Sequence, residues 1–417
     1  MITDILGAQR YYIDKIISTK KYVERELKII NTKLIKVISG VRRSGKSFFI
    51  YNYLKDKNFA YVNFDDDRIL KYDPDDIYKG LLELYKDFKI ILFDEIQNLN
   101  NWEIFVNRLY NQGYDIYITG SNAKLLSKEI ATHLTGRAIS FDLFPFSFRE
   151  FLRANDFKIN TYEDYERLKK LLMDYINFGG FPEVVVDKED PVIYLSELFN
   201  HIIEKDIIFR YKIRFVKTFK DITYYLLSNI SNYTTYNSLK KHFNLGSDHT
   251  ASKYLNYLEE SYLFIFLNNF SFKLREINKS PKKIYLIDTG FYTSLGYKVL
   301  PDNIGKLMEN TVAIELFRRK SYYNKNLEIY YYKDYQKYEV DFLIKEGNNI
   351  KQLIQVTYVS NFDEIDKREI RSLIKSYNLF KEYKPELIII TWDYEDNKIV
   401  DNINIKFIPL YKWLLNI

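Results

Sequence analysis

Short runs of apolar residues alternate with helix-length segments over the first third of the chain. These runs cover 34–38, 59–64, 90–93, 116–119 and 139–143. Strands that are separated by helices form βαβ units with right-handed crossovers. The pattern therefore predicts an α/β fold with a parallel sheet, and a ligand site at the carboxyl ends of its strands.

Helical spacing continues on both sides of this pattern. Residues 10–28 are predicted to form a helix beside the first strand. From 148 to about 215 the spacing is helical again, with interruptions at Gly179-Gly180 and at Pro182, residue types that break helices. This second segment is predicted to form a helical lid beside the ligand site.

The segment 217–275 has the pattern of a helix-turn-helix with a wing. Its elements are a helix ending at Leu226, a helix over 236–243, a turn at Leu245-Gly246, a helix from the N-cap Ser247 to Glu260, and strands over 262–267 and 269–273. An apolar run at 282–288 then begins the terminal part of the chain. Together these patterns predict four domains: 1–150, 151–216, 217–275 and 276–417.

The loop after the first predicted strand carries the clearest chemistry. It consists of Gly40, Val41, Arg42, Arg43, Ser44, Gly45, Lys46 and Ser47. Glycines let backbone N–H groups curl around a phosphate, and the N-terminus of the following helix adds partial positive charge. Lys46 is expected to reach the β and γ oxygens of ATP, and the Ser47 hydroxyl is expected to ligate Mg²⁺.

The second half of a nucleotide site is expected where another buried strand ends in acidic residues. The run 90–93 is followed by Asp94 and Glu95. Asp94 is expected to hold Mg²⁺ through its water shell, and Glu95 to orient or deprotonate the attacking water. Acidic turns after strands are also common without any ligand, but the phosphate loop upstream favours ATP hydrolysis.

Two further positions are candidates for contacts with the γ-phosphate. The fourth strand ends in Thr119-Gly120-Ser121-Asn122, so Ser121 or Asn122 would sense that phosphate, position water, or cap the next helix. Arg137 precedes the fifth strand and is a candidate donor of transition-state charge, in its own or a neighbouring subunit. An ordinary surface arginine is the alternative. The oligomeric state is therefore left undecided between a monomer and a homo-oligomer.

The distribution of charge points to DNA as a partner. The net charge is +6, and the segment 205–283 contains fourteen Lys and Arg against six Asp and Glu. The expected phosphate contacts are Lys240, Lys241, Lys273 and Arg275. His249 and Lys253 lie at the start of the second helix of the helix-turn-helix, the part that enters a major groove. The alternative is a winged helix that binds only proteins.

Composition excludes several other kinds of site. The chain has no cysteine, so disulfides and thiolate zinc sites are excluded. Its four histidines show no metal-ligand spacing. No apolar run reaches membrane-spanning length, and the first residues lack the pattern of a signal peptide. A cytoplasmic location without a membrane partner is therefore expected.

Six motifs carry a family resemblance. They are the phosphate loop with its double arginine, Phe93-Asp94-Glu95-Ile96-Gln97, Thr119-Gly120-Ser121, Leu134-Thr135-Gly136-Arg137, Phe144-Pro145-Phe146-Ser147-Phe148 and Gly179-Gly180-Phe181-Pro182-Glu183. Together they resemble the AAA+ ATPases of bacteria and archaea that carry a C-terminal domain of unknown function. The resemblance covers nearly the whole chain and implies ATP binding. It also implies a five-stranded AAA+ core, a helical segment, a winged helix, and a terminal α/β domain similar to PD-(D/E)xK nucleases.

The terminal region has the spacing of such a nuclease site, but not its residues. The four positions are Glu309, Asp341, Gln355 and Thr357. The site needs carboxylates from two adjacent strands to hold Mg²⁺ and a lysine to activate water. Gln355 stands where a second carboxylate is expected, and Thr357 where the lysine is expected. Asp341 and the neighbouring Glu339 are therefore interpreted as structural remnants, and nuclease activity is not expected.

The leading hypothesis is an ATP hydrolase whose nucleotide state repositions a DNA-binding winged helix and an inactive nuclease-like domain. One alternative is a DNA endonuclease gated by ATP, which Gln355 and Thr357 disfavour. The other is a nucleotide-dependent scaffold for protein partners, which Glu95 and the basic segment disfavour.

Overall fold

The strands around the phosphate loop form one parallel sheet. The computed structural model describes residues 1–121, 134, 136–158, 163–297 and 301–416. Strands β1 to β5 span Ile35–Ser39, Phe59–Asn63, Ile90–Asp94, Asp115–Gly120 and Ala138–Asp142. Their order in the sheet is β2-β3-β4-β1-β5, and every pairing is parallel. The predicted α/β fold with a parallel sheet is confirmed, since each strand end lies within one residue of its predicted position.

This sheet belongs to the first of two compact units. The first unit is Met1–Pro145 with Glu260–Tyr262, and the second is Phe146–Glu259 with Leu263–Ile417. The helices of the first unit are α1 Ile2–Thr19, α2 Lys46–Leu54, α3 Pro74–Leu84 and α4 Trp102–Asn111. Strand β1 is buried along its whole length. Burial on both faces explains why these strands appear in the sequence as continuous apolar runs.

The first helix lies earlier in the chain than its spacing predicts. The prediction placed a helix over 10–28, whereas α1 ends at Thr19 and 20–34 contains no helix. Helix α1 is fixed by Gln9, whose side-chain amide donates to the carbonyl oxygen of Asn63 at 3.1 Å and accepts from its backbone N–H at 2.9 Å. Helical spacing alone does not reveal a polar contact of this kind.

The second unit is rich in helices. They are α5 Phe148–Ala154, α6 Glu163–Phe178, α7 Pro182–Val185, α8 Pro191–His201, α9 Val216–Ser228, α10 Tyr236–His242, α11 Asp248–Glu260, α12 Leu274–Lys279, α13 Gly290–Ser294, α14 Pro301–Tyr322, α15 Lys367–Leu379 and α16 Leu410–Leu415. A π-helix, Ile202–Phe209, joins α8 to α9. The predicted break after α6 is present, and a Cβ at Gly179 would lie 1.6 Å from a carboxylate oxygen of Asp288. Glycine is therefore required there.

Two sheets complete the second unit. The smaller one has the order β6-β8-β7, with β6 Tyr233–Thr234, β7 Phe264–Leu267 and β8 Lys282–Leu286. The larger one has the order β13-β14-β12-β11-β10-β9. Its strands are β9 Leu327–Lys333, β10 Glu339–Glu346, β11 Asn349–Val356, β12 Glu386–Thr391, β13 Asp396–Val400 and β14 Ile403–Pro409.

The small sheet departs from the predicted wing. Helices α10 and α11 lie where the pattern placed them, and the Ser247 hydroxyl caps α11 by accepting from the backbone N–H of Thr250 at 3.2 Å. Residues 269–273 form no strand, and the antiparallel partner of β7 is β8. The predicted boundary at 275 is therefore too early, because it separates β8 from the sheet to which this strand belongs.

Candidate functional site

The phosphate loop connects β1 to α2 and depends on two glycines. At Gly40 (φ +148°) a Cβ would lie 2.2 Å from the carbonyl oxygen of Leu143. Gly45 (φ +89°) is the N-cap of α2, in a left-handed conformation that glycine adopts readily. Val41 and Ser44 are buried, whereas Arg42 is half-buried and Arg43 is exposed. The N-terminus of α2 thus follows the carboxyl end of β1, as a phosphate site requires.

The charged side chain of Lys46 is buried and contacts the phosphate loop. It is the first residue of α2 and is only 4% exposed. Its ammonium group donates to the carbonyl oxygens of Gly40 and Val41, both at 3.1 Å. A phosphate that accepts from the N–H groups of the loop comes within reach of the same ammonium group.

A buried arginine that was not identified from the sequence forms hydrogen bonds with the phosphate loop. Arg25 donates to the carbonyl oxygen of Ser44 at 2.9 Å and also to that of Phe144. It lies in the irregular segment before β1, which the helical spacing of residues 10–28 wrongly predicted to be a helix and in which no motif marks this arginine. Its guanidinium group ties the loop to the segment after β5, and we interpret Arg25 as a positioning residue.

Asp94 ends β3 next to Ser47. The Ser47 hydroxyl donates to one carboxylate oxygen of Asp94 at 2.7 Å. The other oxygen accepts from the hydroxyls of Tyr51 at 2.7 Å and Tyr61 at 3.1 Å, while Thr119 donates to the first. Burial, and then the neighbouring charge of Glu95, raise the pKa of Asp94. The two tyrosines and Thr119 fix the carboxylate and were not identified from the sequence.

The donor set at Ser47 and Asp94 fits Mg²⁺. This ion prefers oxygen ligands and is usually held by one or two protein groups, with water and phosphate oxygens completing its octahedron. Among the residues that the structure describes, no three His, Cys, Asp or Glu side chains are grouped as a metal site. A hydroxyl and a carboxylate beside a phosphate loop therefore match a metal that is bound together with its nucleotide.

Glu95 lies next to Asp94 but in a different environment. Its backbone is left-handed (φ +51°), which is uncommon for a residue with a side chain. Its N–H donates to the Thr119 hydroxyl at 3.1 Å, and its carboxylate accepts from the Gln97 amide. The side chain is half-buried. A carboxylate that is held in this way and still reached by water has the properties of a general base.

Ser121 lies at the same edge of the sheet. It follows Gly120, which pairs with Ser39, the last residue of β1. Its hydroxyl is buried and has no hydrogen-bond partner among the described residues. This position agrees with a contact to a bound phosphate. The alternative residue, Asn122, lies outside the described residues.

Arg137 lies at the opposite edge of the sheet. It precedes Ala138, and β5 pairs in parallel with β1 from Ile35 to Ser39. Five residues of strand, at about 3.3 Å each, therefore separate it from the loop. Its guanidinium group donates to Asn107 and, at 3.5 Å, to Asn111. This position disfavours a role for Arg137 in the site of its own subunit, and a role in a neighbouring subunit and an ordinary surface arginine stay as the two alternatives.

The residues predicted to contact DNA lie on α10, α11 and the segment around α12. Helix α11 buries Ala251, Tyr254, Leu255 and Leu258 on one face, whereas His249 and Lys253 are exposed. Lys240 and Lys241 occupy the last turn of α10. Lys273 and Arg275 are exposed, and Lys273 pairs with Glu276 at 3.2 Å. The exposed start of α11 is therefore accessible to a partner.

Two residues of the predicted nuclease-like site, together with the neighbouring Glu339, surround a lysine that the prediction did not include. The ammonium group of Lys283, on β8, lies 2.7 Å from a carboxylate oxygen of Glu309, 2.8 Å from one of Asp341 and 3.0 Å from one of Glu339. The side-chain oxygen of Gln355 accepts from the backbone N–H of Asp341 at 3.3 Å. The interpretation that this site lacks a lysine is therefore wrong, because Lys283 enters it from another sheet.

We call Lys283, Glu309, Asp341 and Glu339 the Lys283 cluster; its first three members are buried, and Glu339 is half-buried. Lys283 is 1% exposed and Asp341 is 6% exposed. The second oxygen of Asp341 accepts from the backbone N–H of Val356 at 2.9 Å, so both oxygens of this carboxylate are occupied. Thr357 contacts Glu369 of α15 rather than the cluster. Both carboxylate oxygens of Asp341 therefore form contacts within the protein, rather than with a metal ion or a DNA strand.

The glutamates in and around the Lys283 cluster have pKa values that are shifted in opposite directions. Burial, and then the charge of Asp341, raise the pKa of Glu309 to about 8, and the same two causes raise that of Glu369 to about 8. Burial opposes ionisation of Glu339 as well, but the charges of Lys283 and Lys333 lower its pKa to about 2. Glu309 and Glu369 therefore keep their protons to a higher pH than ordinary glutamate side chains do.

We expect the free energy of unfolding to fall as pH rises from about 4.5 to about 8. A carboxyl group whose pKa is raised in the folded state binds more protons there than in the unfolded chain, so folding loses stability over this range. Glu309→Gln should remove a few kcal/mol of this fall, at about 1.4 kcal/mol per pKa unit. Urea titrations at several pH values measure it. The exposed Glu382→Gln is the control, and an equal effect of both variants would contradict the assignment.

Comparison with known proteins extends this picture to the whole chain. A family model of an AAA domain matches residues 32–152. Models of two domains of unknown function, DUF8612 and DUF4143, match residues 169–302 and 304–413. The uncharacterized protein MJ1544 of Methanocaldococcus jannaschii is 38% identical over 410 residues, which are 94% of this chain and 90% of that protein.

The chain belongs to the family of MJ1544. An uncharacterized protein of Haemophilus influenzae is 30% identical to it over 96% of this chain and 98% of its own length. The AAA-domain match contains the phosphate loop, Asp94 and Glu95, so nucleotide binding of the ATPase type is assigned to the first unit of this family member. Among the described helices, none has both the length and the apolar character that a membrane span requires.

The chain is also similar to solved structures. The Walker-type ATPase PABY2304 of Pyrococcus abyssi aligns with 64% of this chain and 91% of its own, at 13% identity and a TM-score of 0.39. A likeness at this TM-score carries no argument about the present protein.

Proposed function

We propose that the protein hydrolyses ATP in a Mg²⁺-dependent reaction at the phosphate loop. The observation that supports this most directly is the 2.7 Å hydrogen bond from Ser47 to Asp94, which brings two oxygen ligands together beside Lys46. Glu95, the next residue, supplies a carboxylate that is less buried than Asp94. Binding groups and a candidate base thus occur in one place, which is the arrangement that nucleotide hydrolysis needs.

In the proposed reaction each residue has a separate task. The N–H groups of the loop and the ammonium group of Lys46 hold the phosphates, and Ser47 and Asp94 would hold Mg²⁺, which would neutralise phosphate charge. Glu95 accepts a proton from the attacking water, while Gln97 fixes its carboxylate. Ser121 is proposed to contact the γ-phosphate from the end of β4.

The dependence on Mg²⁺ tests this proposal. Phosphate release from ATP should require Mg²⁺ and should stop in excess chelator. Asp94→Asn weakens the group that orients the ion, so it should raise the Mg²⁺ concentration for half-maximal rate by about 10–100-fold, as outer ligands commonly do. A titration of the rate against Mg²⁺ measures this. Hydrolysis that persists in chelator would contradict the proposed site.

We further propose that the second unit binds duplex DNA through α10 and α11, which act as a winged helix. The supporting observation is the helix α11, whose start is capped by Ser247 and whose side chains His249 and Lys253 are exposed. A capped helix with an exposed, partly basic start is the element that reads a major groove. Nucleotide turnover would then change the position of this element.

Salt dependence tests the DNA proposal. Each phosphate contact that releases counterions adds about 0.9 to the slope of log K against log salt. Lys240→Gln with Lys241→Gln should therefore lower the magnitude of that slope by about two, measured by anisotropy on a labelled duplex. Lys381→Gln with Lys384→Gln removes two exposed lysines elsewhere and should leave the slope unchanged. Absence of duplex binding at low salt would favour a protein partner.

The endonuclease alternative is not favoured by the terminal region. A nuclease site must admit a metal ion, water and a DNA strand. The Lys283 cluster is buried, and Lys283 already contacts the carboxylates that would bind the metal ion. We therefore propose that this region acts without cleaving DNA.

A further inference from the structure

The connection between the π-helix and α9 has an exposed aromatic and cationic surface. The side chains of Phe209 and Phe215 are 83% and 69% exposed, although phenylalanine is among the residues most often buried. Lys212, Arg214 and Lys217 are exposed beside them. These five side chains are called the 209–217 surface below.

The cations of the 209–217 surface form no ion pairs with the described residues of the protein. The stretch 207–217 contains four Lys and Arg residues and no Asp or Glu. Arg210 pairs with Asp206 at 3.7 Å. Within the part of the chain that the structure describes, no ion pair is found for Lys212, Arg214 or Lys217. Unpaired cations around apolar rings complement an anionic ligand.

The backbone beneath the surface is held in place. The ring of Tyr211 stacks on Tyr257 of α11, with centroids 3.9 Å apart and an angle of 14° between the planes. The N–H of Tyr211 donates to the carbonyl oxygen of Ile207 at 2.9 Å, and that of Ile213 to Ile208 at 3.1 Å. A surface that is ordered before binding loses less conformational entropy when it binds.

We propose that the 209–217 surface binds single-stranded nucleic acid. Phe209 and Phe215 stack on unpaired bases, and the three cations contact the phosphates between them, which is the combination that binds single strands with little sequence preference. A duplex keeps the faces of its bases inside the helix and would leave both rings unused. A second copy of this chain presents the same cations and would be repelled.

This proposal goes beyond the proposed function, which places duplex contacts on α10 and α11. The two ligands are separated by measuring anisotropy with three labelled probes of equal length: a single strand, its duplex, and an abasic strand that keeps only sugar and phosphate. The full chain is used at low salt without nucleotide.

The double variant Phe209→Ala, Phe215→Ala should bind the single strand about tenfold or more weakly, because each stacked base contributes about that factor. It should bind the abasic strand as the wild type does. Replacing Lys212, Arg214 and Lys217 by Gln should weaken binding of both probes and lower the magnitude of the salt slope by about two, at about 0.7 per contact.

Tyr335→Ala is the matched control, since this ring is 90% exposed on the turn between β9 and β10; it should bind like the wild type. The proposal is overturned if the wild type does not bind the single strand, or if the phenylalanine variant loses the abasic strand equally. It is also overturned if that variant changes only the oligomeric state in sedimentation, which would indicate an interface between subunits. If the proposal that α10 and α11 bind duplex DNA is wrong, the wild type should bind the single strand and not the duplex, which is a different result.

Discussion

Lys46→Ala is expected to abolish ATP binding, whereas Glu95→Gln is expected to bind ATP and to fail to hydrolyse it. The ammonium group of Lys46 contacts the phosphate loop through Gly40 and Val41, so its loss removes a charge that is expected to hold the phosphates. Glu95→Gln keeps the size of the side chain but removes the base, which should lower kcat by about 10²–10⁴-fold.

Calorimetry with ATP and a phosphate-release assay distinguish the two effects. Glu83→Gln, an exposed position on α3, should leave both measurements at the wild-type values. Turnover by Glu95→Gln at the wild-type rate would show that Glu95 is not the base. ATP binding by Lys46→Ala at the wild-type affinity would show that the nucleotide lies elsewhere.

Lys283→Met should destabilise the second unit by about 3–5 kcal/mol, the usual cost of removing one partner of a buried ionic network. Three carboxyl groups contact this one ammonium group, and methionine fills a similar volume without the charge. Chemical denaturation measures the change. Lys333→Met is the control, because Lys333 pairs only with Glu339 at 2.9 Å among the described residues and its side chain is 31% exposed; it should cost less than about 1 kcal/mol.

The same cluster predicts that purified protein does not cleave linear, branched or supercoiled DNA in Mg²⁺ or Mn²⁺. Asp341→Ala should not change that result, since Asp341 pairs with Lys283 and accepts a hydrogen bond from the backbone N–H of Val356. If Lys283→Met proved as stable as the wild type, the network would not be structural. Cleavage by the wild type that disappeared in Asp341→Ala would make Lys283 the lysine of an active site.

The parts of the structure that the sequence predicted are those fixed by local chain order. Parallel strands that are buried on both faces are largely apolar, so the buried strands β1 to β4 stand out as runs. The phosphate loop needs glycine, lysine and serine at fixed spacing between a strand and a helix, and the structure has them there. Ser47 and Asp94 then meet because β1 and β3 both end at the carboxyl edge.

What could not be predicted depends on contacts between distant parts of the chain. Arg137 was placed correctly before β5, but its motif does not show that its guanidinium group donates to Asn107 and Asn111. Arg25 and Tyr61 lie in segments without a motif and reach the site only through folding. Lys283 was missed because it lies on a strand of the small sheet and reaches the acids of another sheet, a contact that no local spacing shows.

Lys283 and the carboxyl groups that it contacts fall within the matches of two different sequence families. The lysine lies within the match to DUF8612 at 169–302, and its three carboxyl partners lie within the match to DUF4143 at 304–413. A gene that acquired the second region without the first would encode buried acids with no cation among them. Recombination at this junction is therefore constrained by charge, and the two regions are expected to be inherited as one evolutionary module.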